Sequence, residues 1–135
     1  MSTNVAHIID RKGGEVVTIG PAATLAKAAA LLAEHNIGAV VVSRDGTTVD
    51  GILSERDIVR QFASTDGVGT GSVSVSTAMT TGVHTATPAA TIDELVQIMT
   101  TGRFRHVPIV DGGALVGIVS IGDVVKSRMD ELQTE

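Results

Sequence analysis

Apolar positions along the chain alternate between two spacings, and the order of those spacings is written twice. In TLAKAAALLAEH, Leu25, Ala28, Leu31 and Leu32 recur at the three-to-four-residue interval of one helix face. Thr24 stands where an N-cap is wanted. The runs IGAVVVS and TVDGILS, and further on RHVPIV and ALVGIVS, are instead rich in Val and Ile and are joined by Asp-Gly or Gly-Gly, the pattern of paired strands and tight turns. A short strand precedes each helix, EVVTI in the first half and GVHTA in the second, and each stops at a proline. In the second helix, TIDELVQIM, Thr91 and Glu94 are spaced for a capping box, and Gly102 is placed for a left-handed C-terminal residue. A further helix closes each half, starting at Ser54 and at Ser120.

Laying the chain over itself turns this impression into a register. Thr18, Pro21, Ala22, Ala23, Thr24 and Val40 recur 67 positions later as Thr85, Pro88, Ala89, Ala90, Thr91 and Val107. Gly51, Ile52, Ser54, Asp57 and Val59 recur as Gly117, Ile118, Ser120, Asp123 and Val125 at an offset of 66. The lost residue falls in the turn between the paired strands, where length changes are tolerated. The order strand, helix, strand, strand, helix is therefore repeated, with the copies at 7–63 and 75–128, a Gly-rich linker at 64–74 and a tail at 129–135. A half of about 60 residues is marginal alone. The two are expected to pack as one pseudo-twofold α/β module with a cleft between them.

Composition narrows the function. The chain has 135 residues, 43% of them hydrophobic, with two Phe and no Trp, Tyr or Cys. Aromatic stacking platforms are missing, and a net charge of −5 argues against binding a phosphate backbone, so nucleic acid is not an expected partner. No apolar run approaches the roughly 20 residues of a membrane span, and the N-terminus lacks a signal-peptide pattern, which predicts a cytoplasmic protein. His7, His35, His84 and His106 show no metal-ligand spacing. Glu55, Asp57 and Asp123 come with no nucleophile or phosphate loop, so neither a metal nor an enzyme activity is expected.

The strings VVTIGP, TLAKAAALL, IGAVVV and GILSERDIV, with HTATPAATIDELVQIM, RFRHVPIVD and GIVSIGDVV, resemble the cystathionine β-synthase (CBS) domain family from about His7 to Lys126. Both copies fit that family's nucleotide signature Gly-x-x-(Ser/Thr)-x-x-Asp: Gly51, Ser54 and Asp57, then Gly117, Ser120 and Asp123. A carboxylate can accept both hydrogen bonds of a ribose diol, and a hydroxyl at a helix start sits beside unpaired N–H groups. The same Ser-x-x-Asp spacing also makes an ordinary helix cap.

The resemblance implies a regulatory protein with no required cofactor that binds an adenosine-containing small molecule. AMP is the first candidate, with ATP, ADP, NAD(H) and S-adenosylmethionine sharing the same adenosine. It implies a homodimer of CBS pairs acting on an unknown regulated protein, with no membrane or nucleic-acid partner; a ligand-free dimeric scaffold is the alternative. Arg56, Arg105 and His106 are the cations expected near phosphate. The first copy has Gly38 and Ala39 in place of Arg105 and His106, and Arg56 is matched by Gly122. The resemblance further implies that Arg105 or His106 serves the Asp57 site, leaving Asp123 the weaker one. Thr18, Thr85, Ile37, Gly38 and Val107 are the expected contacts of the base.

Overall fold

Each apolar helix face predicted from the sequence finds a small sheet to cover. The computed structural model describes residues 4–13 and 16–134. They divide into two units: one runs from Val17 to Val83, and the other joins the residues before it to those from His84 onward.

In the Val17–Val83 unit, strand β1 (Thr18–Ile19) lies parallel to β2 (Ala39–Val42), which pairs antiparallel with β3 (Gly51–Ser54). All four residues of the central strand β2 are buried, as expected of a strand with neighbours on both edges. Helix α2 (Leu25–His35) crosses from β1 to β2 and buries Leu25, Ala28 and Leu32 against Val40, Val42 and Leu53. Thr24 caps it, its Oγ1 accepting from Lys27 N–H at 3.2 Å. Truncating a fully buried leucine such as Leu25 or Leu53 costs about 2–5 kcal/mol, so this small cluster dominates the unit's stability. Helix α3 (Glu55–Ser64) follows β3 without a break, and α4 (Val75–Ala78) returns over the start of α2. There Val75 and Ser76 donate to the carbonyls of Ala23 and Pro21 at 2.8 and 2.9 Å.

The second unit repeats the plan with one strand reduced. Helix α5 (Ile92–Gly102) packs Ile92, Leu95 and Met99 against the hairpin of β4 (His106–Asp111) and β5 (Ala114–Ser120), and α6 (Ile121–Thr134) closes it. Helix α1 (Val5–Lys12) belongs to this unit although it precedes the first copy. Val5 and Ala6 donate to Ala90 and Pro88 at 2.9 and 3.0 Å, the counterparts of the bonds made by Val75 and Ser76. Each copy is thus completed by the segment that precedes the other copy in sequence. The compact units therefore differ from the repeats in taking in these preceding segments.

Several expectations need correction. The GVHTA strand is reduced to one parallel bridge, Ala86 with Ile109, because His84, Thr85 and Thr87 are exposed and offer no alternating apolar face. Strand EVVTI is formed only at Thr18–Ile19, and its Glu15 lies outside the described residues. Strand TVDGILS begins at Gly51, since the Asp45 carboxylate accepts from the N–H groups of Thr47 and Thr48 at 2.9 and 2.7 Å and folds that stretch into a turn. Gly102 is the last helical residue, and the left-handed position falls on Arg103 at φ 58°. A Cβ at 102 would meet the Phe104 ring, which would have to turn aside. Residues 129–134 continue α6 rather than forming a tail, and Glu135 lies outside the described residues.

Candidate functional site

The two signature motifs occupy equivalent strand-to-helix junctions. At the first, Ser54 Oγ accepts from Asp57 N–H at 3.2 Å, while Ser54 N–H donates to Asp57 Oδ2 at 2.9 Å. The second repeats the exchange: Ser120 Oγ with Asp123 N–H at 3.1 Å, and Ser120 N–H with Asp123 Oδ2 at 2.8 Å. Both are reciprocal helix caps. For the α5 start, where the sequence placed a box at Thr91 and Glu94, the Thr91 hydroxyl accepts from Glu94 N–H at 3.1 Å. The next helical N–H of each junction is also met, Glu55 donating to Gly38 carbonyl at 3.0 Å and Ile121 to Arg105 carbonyl at 2.9 Å. Gly38 and Arg105 therefore have the same backbone duty, and the Arg105 side chain is left exposed.

The glycine that opens each motif stands under the segment donated from elsewhere in the chain. A Cβ on Gly51 would lie 2.7 Å from Thr80 O and 2.9 Å from Met79 Sδ. On Gly117 it would strike the Ile9 side chain of α1. These approaches also bring a new residue to each carboxylate. The Thr80 hydroxyl donates to Asp57 Oδ1 at 3.3 Å, and the Arg60 guanidinium lies 3.7 Å from the same oxygen. Lys12 Nζ reaches Asp123 Oδ2 at 2.8 Å and the Ile118 carbonyl at 2.7 Å.

Asp57 is 6% exposed and Asp123 half-buried. Burial pushes the Asp123 carboxyl up, but the bonds from Lys12 and the Ser120 N–H, with the Lys12 charge, outweigh it and hold the group below the usual carboxylate range. Lys12 and Thr80 were missed in the sequence because neither belongs to the motif it completes, and no offset between the copies aligns them.

The remaining candidates are dispersed. Thr18 sits in β1 opposite Val41, whereas Thr85 is exposed just before the Ala86 bridge. Ile37 and Gly38 line a depression of about 450 Å³ between α2 and α3, with Leu32, Ala33, Ile58 and Val59. Arg56 is exposed in the first turn of α3. His106 opens β4 directly opposite Ser120, in the same unit as Asp123. Val107 is fully buried in the core, so only its backbone could meet a ligand. Among the described residues no group of three His, Asp or Glu could hold a metal ion, and no helix is long and apolar enough to cross a membrane.

Comparison with known proteins gives a consistent result. The family model described as CBS domain matches residues 5–64 and 74–130. A crystal structure of a CBS-domain protein from Agrobacterium tumefaciens superposes with a TM-score of 0.88 at 49% identity, covering 95% of each chain. The CBS domain-containing protein YhcV of Bacillus subtilis (strain 168) is 33% identical over 125 residues, 93% of this chain and 87% of the relative. The CBS domain pair of a protein in complex with 5′-methylthioadenosine and S-adenosyl-L-methionine shares the fold, with a TM-score of 0.84 at 23% identity over 97% of this chain and 99% of the other.

Proposed function

Since the chain belongs to the CBS-domain family, whose members are generally regulatory and not catalytic, we propose that it is a cytoplasmic sensor that binds an adenine nucleotide, AMP foremost, at Ser54 and Asp57. The observation that carries the reading is the state of the Asp57 carboxylate. One oxygen is fixed by Ser54, and the other meets only two loose neighbours, the hydroxyl of the exposed Thr80 at 3.3 Å and the exposed Arg60 guanidinium at 3.7 Å. A ribose diol can replace that long bond with two better ones, since an ionised carboxylate accepts from about four directions. Arg56, exposed one residue before Asp57, supplies a cation for the phosphate. The solved CBS pair with two adenosine-containing ligands supports the ligand class.

The output passes to a regulated protein through a homodimer. Val59 and Phe62 on α3, and Val125, Met129 and Leu132 on α6, are exposed apolar residues spaced three or four apart, as a helix face covered by a second copy requires.

The reciprocal Ser-Asp caps favour a second reading, a scaffold in which these residues serve only the helices. Thermal melts with AMP, ADP, ATP, NADH and S-adenosylmethionine separate the two. A ligand at 100 times its dissociation constant stabilises the sensor by about 2.7 kcal/mol. The Asp57→Ala protein, which starts lower by the about 0.5–2 kcal/mol of a lost cap, should gain nothing on adding that ligand. No shift with any of the five leaves the scaffold.

A further inference from the structure

The two motifs read alike in sequence, but the segments lying over them bring residues of different charge: Thr80 to Asp57, which Arg60 of its own helix approaches at 3.7 Å, and Lys12 to Asp123. At Asp57 the closing residue is a neutral threonine that lies on the surface and can turn its hydroxyl away. At Asp123 it is an ammonium held by two oxygens of the motif itself, Asp123 Oδ2 and the Ile118 carbonyl.

Lys12 is also well anchored. Val5 and Ile8 of its helix are buried in the core of the second unit, and Ile9 rests over Gly117. The neighbouring Arg11 pairs with Asp130 of α6. The cation is thus delivered to the carboxylate by a helix that cannot drift away without opening the core, which gives it a high effective concentration there.

The consequence for a sugar is direct. Asp123 Oδ2 already accepts two short bonds, from Ser120 N–H and from Lys12, both at 2.8 Å. A diol arriving at Asp123 meets an ammonium already held against the carboxylate by a short charge-assisted bond and must fit beside it or displace it, and charge-assisted bonds are roughly twice as strong. At Asp57 the corresponding displacement removes the long bond from Thr80 and the 3.7 Å approach of the exposed Arg60, neither of them a short charge-assisted bond.

We propose that Lys12 is a built-in occupant of the second signature: its ammonium is held against the carboxylate a ribose would have to reach, so that each chain binds one nucleotide, at Asp57, and none at Asp123. The proposal rests on the reading that these signatures bind ribose, and it assigns the selection between them to a residue outside either motif.

Calorimetric titration of the full chain with AMP tests both levels separately. The unaltered chain should bind one AMP, and Asp57→Ala none. Lys12→Met, which keeps the length of the side chain and removes its charge, should bind two. The double variant Lys12→Met/Asp57→Ala should bind one, at Asp123, with affinity at least about tenfold above what that site shows when Lys12 is present. Lys12→Arg, which retains a cation, should stay at one, and thermal melts confirm that each variant folds.

Two AMP per unaltered chain, or one in Lys12→Met that Asp57→Ala still abolishes, overturns the proposal and leaves the nucleotide reading intact. A site in the Asp57→Ala protein that is lost with Lys12→Met overturns it by making Lys12 a phosphate ligand. No AMP in any of these proteins defeats the nucleotide reading and the proposal together.

Discussion

Alanine at Gly51 should destabilise the protein, and alanine at Gly117 should hardly do so, although the two glycines hold the same place in the repeat. At Gly51 the added methyl meets a backbone oxygen, Thr80 O, at 2.7 Å, several tenths of an ångström inside an ordinary C···O contact of about 3.3–3.6 Å. Thr80 cannot yield freely, because it exchanges two backbone bonds with Ile52, at 3.0 and 2.8 Å. Overpacking of this kind costs about 1–3 kcal/mol. Against it stands about 0.4–1 kcal/mol from the stiffer unfolded chain, since the φ of Gly51 is not in the left-handed region. The net is a loss of about 1–2 kcal/mol, or about 3–8 °C in melting temperature for a chain of this size.

At Gly117 the methyl meets the tip of the Ile9 side chain, which is only partly buried. A rotamer change there costs about 0.5–1.5 kcal/mol and is nearly offset by the same unfolded-state gain. Thermal melts with an extrinsic dye make the comparison, because the chain has no Trp or Tyr. Ile9→Val, which removes the clashing carbon, should erase any residual cost of Gly117→Ala. A Gly51→Ala protein as stable as its parent, or less affected than Gly117→Ala, would refute the idea that the motif glycines are set by the segments lying over them.

Three further outcomes follow from the local geometry. Asp123 has its folded-state pKa below the unfolded value, so its contribution to stability is complete above the unfolded pKa and is lost as pH falls through the folded one. Lys12→Met should raise the Asp123 titration midpoint in carboxyl NMR and move the acid loss of stability to higher pH; an unchanged midpoint would show that Lys12 does not hold the group. Arg103 closes α5 at φ 58°, a conformation costly for any residue with a Cβ, so Arg103→Gly should stabilise the protein by about 0.5–1 kcal/mol in denaturant titrations. Asn36, at the equivalent end of α2 with φ 53°, tolerates that conformation better, and Asn36→Gly should change stability by a few tenths at most.

The features legible in the sequence are those set by short-range periodicity. The α2 face of Leu25, Ala28 and Leu32, the β4–β5 hairpin with its Gly112-Gly113 turn, and the Ser-x-x-Asp junctions all depend on residues a few positions apart. What escaped depends on contacts that no local pattern encodes. The Asp45 turn takes residues that read as strand, because one carboxylate gathers two N–H groups at once. The left-handed residue fell on Arg103 instead of Gly102, one position beyond the residue that composition marked. Of the expected site residues, Ser54 and Asp57, and Ser120 and Asp123, come together pairwise as the helix caps that their spacing allows. The partners that distinguish the pairs, Thr80 and Lys12, lie 23 and 111 positions from the carboxylates they meet.

That separation explains how two nearly identical motifs can differ in behaviour. A substitution within Gly-x-x-Ser-x-x-Asp would damage the helix cap along with any ligand contact, because Ser54 and Asp57, like Ser120 and Asp123, already bond each other. The motif is therefore a poor place to tune affinity without losing stability. The donated segments are free of that constraint: a threonine from one and a lysine from the other, at positions that do not correspond, change what reaches the carboxylate and leave the cap untouched. The motif supplies the carboxylate, and the segment that precedes the opposite copy adds a donor of its own to it.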